Sequence, residues 1–373
     1  MKIVVALDKF KGSLTAACAC EIVHNTLLSV RPGLRVVMKP MADGGDGTDE
    51  VLLTALGGEW LAAPVMGPLP MMRCVAKYAW LPGEATAVVA MASASGLTLL
   101  KPEQRNPLLT TTYGTGELIR AAIKRGAKRI WLAVGGSATM DGGVGAAMAL
   151  AWQFLDARGK LVGFGGGELP RIAQIVPPLG LRIPPVEVLC DVDNPLCGEH
   201  GAARVFGPQK GATDAMVERL DAGLQHLAEL VKEQLDKEIA DVPGAGAAGG
   251  FAAGAMAFMN ARLVPGIEIV MRANGLETEL ADADWVITGE GRFDEQSLRG
   301  KVVSGVARLA AEHKVRVGVL AGSVQVSEEL CQREGIKLAL ATMKPGMTLD
   351  EAMPRAEELL ASATRELAAR IPV

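Results

Sequence analysis

Acidic side chains recur where this sequence predicts strands to end. Asp8 follows the apolar run at residues 2–7, and Asp43 and Asp46 follow residues 34–39. Asp141 comes after the run at 130–134, Asp191 and Asp193 after 186–190, and Glu290 and Asp294 after 285–288. One such acid means little, because Asp often bonds the backbone N–H groups of its own turn. Several acids at one cleft repel each other unless a cation or a reaction needs them. A hard, oxygen-seeking cation, Mg²⁺ above all, suits a site of carboxylates, waters and phosphate oxygens.

The same loops carry positive and small polar groups. Lys11, Lys210, Arg292 and Lys301 lie near glycines, with Ser13, Ser137, Thr139, Gln296 and Ser297 in the same segments. Glycine-rich turns that lead into helices can hold phosphate on backbone N–H groups. Acid, lysine and glycine together describe phosphoryl transfer, which is mostly positioning and charge neutralisation. An isolated lysine is better read as solvated surface, a reading that fits Lys11 and Lys210 less well because both sit between glycine-rich turns.

Other motifs restrain this reading. No Walker A loop is present: Gly300-Lys301 is followed by Val302 and lacks the upstream glycine spacing. Gly244, Gly246 and Gly249 form a GxGxxG match, but it follows Asp241-Val242-Pro243, which does not read as a buried strand. A closely packed helix entry explains it better than a dinucleotide site. The four histidines are scattered, and no Ser/His/Asp arrangement can be argued from spacing.

The elements that must position these groups follow from periodicity. A strand at 2–7, a helix at about 15–29, a strand at 34–39 and a helix at 49–56 make the β-α-β-α pattern of a parallel sheet. Ser13 or Thr15 is placed to cap the first helix. The middle differs: strand-like runs at 73–80 and 86–91 stand among Pro64, Pro68, Pro70 and Pro82. A helix at 114–125 and a long amphipathic helix at 213–236 follow. Short apolar strands return at 285–288, 316–320 and 337–341. The fold class expected is α/β: a Rossmann-like parallel-sheet domain from both chain ends, 1–63 and 284–373, with a second α/β domain, 64–283, inserted. Ligands are expected outside the carboxyl ends of the strands, as in open α/β sheets generally.

Composition sets the limits. The 373 residues suggest about two domains. With 38 basic and 42 acidic residues the net charge is -4, which argues against nucleic acid as a partner. The six cysteines show no zinc spacing and read as reduced thiols of a cytoplasmic protein. The longest uncharged stretch, 243–260, is mostly Gly and Ala and too weakly apolar for a membrane span.

These loops, in order, resemble the type 1 glycerate kinase family from end to end. The segments are 8–14 (DKFKGSL), 42–48 (ADGGDGT), 112–117 (TYGTGE), 135–143 (GGSATMDGG), Cys190-Asp191 with Asn194-Pro195, 206–212 (FGPQKGA), 242–250 (VPGAGAAGG) and 289–297 (GEGRFDEQS) with Gly300-Lys301. The resemblance implies transfer of the ATP γ-phosphoryl group to D-glycerate, usually at the 2-hydroxyl. It also implies a site in the cleft between the two domains. A Mg²⁺ is expected to be held, directly or through water, by some of Asp43, Asp46, Glu290 and Asp294. Asp191 would orient or deprotonate the hydroxyl, while Lys11 and Lys301 neutralise the transferring group. Arg292 or Lys210 would hold the glycerate carboxylate, and Ser137 and Thr139 would contact phosphate or glycerate. Asp8, Ser13, Asp141, Asn194, Gln296 and Ser297 complete the expected binding set. Family members often carry Glu where Ala90 stands and Asn where Met140 stands, so contacts from these two positions are not expected here. The alternatives are the same scaffold acting on another small hydroxy acid or on the 3-hydroxyl, and a non-catalytic nucleotide- or anion-binding regulator. The oligomeric state is left open.

Overall fold

The computed structural model describes residues 1–298 and 300–372. Its strands are β1 (Lys2–Leu7), β2 (Arg35–Met38), β3 (Glu59–Met66), β4 (Arg73–Leu81), β5 (Thr86–Ala90), β6 (Arg129–Ala133), β7 (Gln153–Leu155), β8 (Gln174–Val176), β9 (Val186–Leu189), β10 (Arg262–Val264), β11 (Trp285–Phe293), β12 (Arg316–Val324) and β13 (Ile336–Ala341). The chain forms two compact units, Met1–Asp43 with Pro265–Val373, and Gly44–Val264. The fold is α/β.

The first unit holds a sheet ordered β13-β12-β11-β1-β2, parallel throughout. Every residue of β1 is buried, as expected of a central parallel strand covered on both faces. Ile3, Val5 and Leu7 pack in one core with Val23 and Leu27 of the helix Ala16–Val30 and Leu360 and Leu367 of the helix Ala356–Arg370. Thr15, not Ser13, caps the first of these helices by accepting the Cys18 N–H at 3.2 Å. From β1 the chain winds one way to β2, while β11, β12 and β13 wind the other way. The direction therefore switches between β1 and β11, where open α/β sheets form their ligand crevice.

Strands β11 and β12 run longer than their apolar sequences predict. Glu290, Arg292 and Phe293 continue the ladder against Ala321, Ser323 and Val324, and Phe293 is fully buried. Glu290 and Arg292 thus stand on a strand rather than in the loop after it.

The second unit holds a mixed sheet, β10-β9-β6-β5-β4-β3. The four strands β10, β9, β6 and β5 are parallel, and β4 and β3 add on antiparallel. Pro64 lies within β3, which is tolerated because β3 is the sheet edge. A small pair, β7-β8, stands apart.

The division falls at 43/44 and 264/265 rather than near 63 and 283. Packing explains this. The helix Thr48–Leu56 lies against β4 and β5, and β3 pairs with β4, so this whole segment belongs to the second unit. The helix Gly266–Asn274 belongs to the first unit: Ile267 packs on Gly305, and the Asn274 carbonyl accepts Lys39 Nζ at 2.7 Å.

The GxGxxG segment follows no strand and opens the helix Ala247–Met259. Gly249 has φ +71°, and a Cβ there would sit 2.0 Å from the Thr139 carbonyl oxygen; one at Gly246 would sit 2.3 Å from that of Pro195. These glycines serve close backbone packing, which removes the basis for a dinucleotide fingerprint. Among the described residues no helix is long and apolar enough to cross a membrane.

Candidate active site

In the first unit the acids meet at the switch point. Parallel pairing sets Leu7 beside Gly289, and the Asp8 N–H donates to the Gly289 carbonyl at 2.9 Å. Asp8, one residue past β1, therefore lies beside Glu290 on β11, with Asp43 close behind β2. Asp8 is 7% exposed. Burial pushes its carboxyl up to about 7; Lys9 pulls it down, and the charges of Asp43 and Glu290 push it further up. Burial likewise pushes Glu290 up to about 7, against the Ser297 hydroxyl and the Lys301 charge, with Asp43 and Asp294 adding repulsion. Glu290 Oε1 is buried and has no hydrogen-bond partner among the described residues.

The rest of the predicted set in this unit has mixed surroundings. Lys11 is exposed. Lys301 is half-buried and precedes the helix Val302–Glu312, where its carbonyl accepts the Gly305 N–H at 2.9 Å. Arg292 is already engaged: Nε meets Asp294 Oδ2 at 3.0 Å, and Nη2 donates to Gln325 Oε1 at 2.9 Å. Gln325 was not apparent from the sequence, because only the β11–β12 pairing brings it there. Asp294 also accepts the Gln296 N–H at 2.9 Å, and Ser297, fully buried, donates to the Arg292 carbonyl at 3.2 Å. The Ser13 hydroxyl donates to the Phe10 carbonyl at 3.1 Å.

The second unit builds its own group at the carboxyl ends of β6 and β9. The loop Gly44-Gly45-Asp46 lies across them. A Cβ on Gly44 would meet the Leu189 carbonyl oxygen at 2.8 Å, and one on Gly135 would meet the Asp46 nitrogen at 2.6 Å. Asp46 is exposed there, Asp191 is half-buried, and Asn194 Nδ2 donates to the His200 carbonyl at 2.9 Å. Asp49, unremarked in the sequence, is buried in the first turn of the helix Thr48–Leu56, and burial raises its carboxyl above the ordinary range.

Asp141 and Lys210, both in the expected binding set, are buried and bonded within the second unit. Asp141 is 1% exposed. Its carboxylate accepts the Thr112 N–H at 2.8 Å, the Thr112 hydroxyl at 3.0 Å, the Thr111 hydroxyl at 3.3 Å, and the N–H groups of Gly143 and Gly145 at 3.2 and 3.3 Å. Burial raises its carboxyl, against the pull of these donors. Lys210 is 2% exposed and donates from Nζ to Ser137 Oγ and to the Thr139 carbonyl, both at 2.8 Å. Burial pushes its ammonium down to about 7, with the Asp141 charge opposing. Lys210, expected as an alternative to Arg292 for holding the glycerate carboxylate, is thus buried at the end of the turn Pro208–Lys210 with its Nζ committed to the loop after β6. Thr139 Oγ1 is buried with no hydrogen-bond partner among the described residues. Met140 is fully buried in the core, so its departure from Asn is a packing matter.

The acids expected to share a metal are divided between the units, with Asp43, Glu290 and Asp294 in the first and Asp46 in the second. Among the described residues, no three His, Cys, Asp or Glu side chains are arranged to hold a metal ion by themselves. Mg²⁺ does not need such a cage, since it usually takes one or two carboxylates and keeps waters and substrate phosphates.

The profile described as the glycerate kinase family matches residues 3–372. A glycerate kinase of Halalkalibacterium halodurans is 45% identical over 98% of this chain and 97% of its own length. The glycerate 2-kinase of Escherichia coli K12 is 44% identical over 100% of this chain and 98% of its own. A crystal structure from Salmonella typhimurium LT2, assigned as glycerate kinase 2, superposes with a TM-score of 0.84 at 41% identity, covering 99% of this chain and 97% of that one.

Proposed function

Because this chain belongs to the glycerate kinase family, we propose that its strand-end acids and glycine loops transfer the γ-phosphoryl group of ATP to the 2-hydroxyl of D-glycerate, giving 2-phosphoglycerate and ADP. The enzyme is an ATP-dependent glycerate kinase. The observation that carries the assignment of the site is the pairing of Asp8 and Glu290 at the switch point. Both carboxylates are desolvated; Glu290 feels the charge of Lys301 and keeps one oxygen with no hydrogen-bond partner among the described residues, while Asp8 feels the charge of Lys9.

Such carboxylates fit a divalent cation. Mg²⁺ would be held by Glu290 and Asp43, directly or through water, with Asp294 near, and would supply charge neutralisation on the phosphates. Lys11 and Lys301 offset the negative charge of the transferring group, as positively charged side chains do in phosphoryl transfer. Asp191 orients the attacking hydroxyl and takes its proton, for which its carboxylate must come within ~2.6–3.2 Å of that oxygen in the productive complex. Arg292 faces the glycerate carboxylate with the N–H groups that Asp294 and Gln325 leave unused. Ser137 and Thr139 contact phosphate or glycerate oxygens from the loop after β6.

Position of transfer is tested with D-glycerate, ATP and Mg²⁺ in the presence of enolase and no phosphoglycerate mutase. Prompt phosphoenolpyruvate formation is the expected result. A requirement for the mutase would assign the 3-hydroxyl instead.

A further inference from the structure

We infer that Lys210 is a positioning residue for phosphoryl transfer: it touches no substrate, and its buried ammonium holds the loop after β6 in the shape that presents Ser137 and Thr139. The inference rests on the reading above that this loop meets the phosphoryl group or glycerate.

The geometry leaves Lys210 little other work. Its side chain is 2% exposed, and its Nζ is committed at 2.8 Å to one side chain and one carbonyl of the same loop, two residues apart. An ammonium that bonds both Ser137 Oγ and the Thr139 carbonyl sets the rotamer of the serine and the direction of the peptide after Thr139 together. The rest of the loop is anchored around it. The Thr110 hydroxyl donates to the Ala138 carbonyl at 2.8 Å, and the Ala138 N–H donates to the Ser95 carbonyl at 2.9 Å. Behind the loop, Gly142 N–H donates to the Gly249 carbonyl at 3.1 Å. These contacts fix the backbone of Ala138 and Gly142, while Ser137 Oγ takes its bond from Lys210. A buried lysine is costly to keep and adds nothing to packing that Met or Leu would not. Its directed N–H bonds are what those residues lack.

The test uses the full-length enzyme with ATP, Mg²⁺ and glycerate, ADP release being followed by a pyruvate kinase couple. Lys210→Met keeps the volume and removes the donor. It should lower kcat about 100-fold, the scale of loss expected from misplaced groups, with KM for ATP and glycerate changed less than about threefold. Ser137→Ala should also lower kcat. The double variant should be no more than about threefold worse than Lys210→Met alone, because both changes remove one arrangement. A folded Lys210→Met enzyme with wild-type kcat overturns the inference while an impaired Ser137→Ala keeps the loop in the site. A 100-fold rise in the KM for glycerate at unchanged kcat also overturns it, since Lys210 would then bind substrate directly. Losses that multiply in the double variant do the same. Wild-type turnover in Ser137→Ala sinks the underlying reading of the loop instead. Should Lys210→Met not fold, Lys210→Leu, which also lacks a donor, carries the same comparison.

Discussion

Replacing Glu290 by Gln tests whether the acids at the switch point are held at the expense of stability. Burial moves the Glu290 carboxyl from an ordinary value near 4.5 to about 7. That displacement corresponds to about 3 kcal/mol, and solvent reaching a half-buried side chain trims it to about 2. The folded-state pKa is raised, so the stability linked to this group is fully present below about pH 4.5 and is lost as pH rises through 7. Above pH 7 the wild-type enzyme carries the whole deficit. Urea unfolding of the ligand-free proteins at pH 5 and pH 8 reads this directly. E290Q should gain about 2 kcal/mol on wild type between the two pH values. Asp8 reinforces the effect, because removing the Glu290 charge also relieves its neighbour. ATP with Mg²⁺ should stabilise wild type more than E290Q, and E290Q should turn over poorly. If E290Q gains nothing at pH 8 relative to pH 5, Glu290 is not a desolvated charge and the case for it as a metal ligand falls.

Two further substitutions probe the second unit. Asp191→Asn should lower turnover by ~10²–10⁴-fold with both substrates saturating, as loss of a general base does; turnover within a few-fold of wild type would remove Asp191 from that role. Gly249→Ala combines a positive φ of +71° with a Cβ placed 2.0 Å from the Thr139 oxygen, so urea unfolding should show a loss of at least ~3 kcal/mol. A loss under ~1 kcal/mol would mean that the glycine segment and the loop after β6 are not packed as described.

The central strands were the easiest elements to read. Residues 2–7 form β1 because an unbroken apolar run suits a strand covered on both faces. Helices with clean periodicity followed closely, as at Asp214–Leu235. Pro64 concealed β3, since a proline excludes a central strand but not an edge. The ends of β11 and β12 were hidden because glycine and charge at residues 289–292 resemble a loop, and only pairing with β12 makes them strand. The unit boundaries followed packing partners rather than any change in composition. In the candidate site, residue types singled out the acids and the glycine loops, and Asp8 and Glu290 do come near each other. What local sequence could not convey was which charged groups turn inward. Asp141 meets Thr112, and Lys210 meets Ser137, across 29 and 73 residues of chain. The glycine-rich turns around Lys210 argued against a solvated surface position, but nothing near it in the sequence named Ser137 and Thr139 as its partners.

The sheet order of the first unit also bears on how the enzyme is made. β1 is central, between β2 and β11, yet β11 is synthesised only after the whole second unit. Roughly 280 residues separate the two strands, which at ~5–20 residues per second is on the order of 15–60 s of translation. Through that interval the most apolar strand of the sheet has one neighbour and an open edge, while the second unit has all of its own strands. Ribosome-bound chains that stop short of Trp285 should therefore yield a protease-resistant Gly44–Val264 segment and a cleavable Met1–Asp43. The enzyme's exposure to aggregation lies in this wait, and a chaperone that shields Lys2–Leu7 would shorten the list of ways to fail.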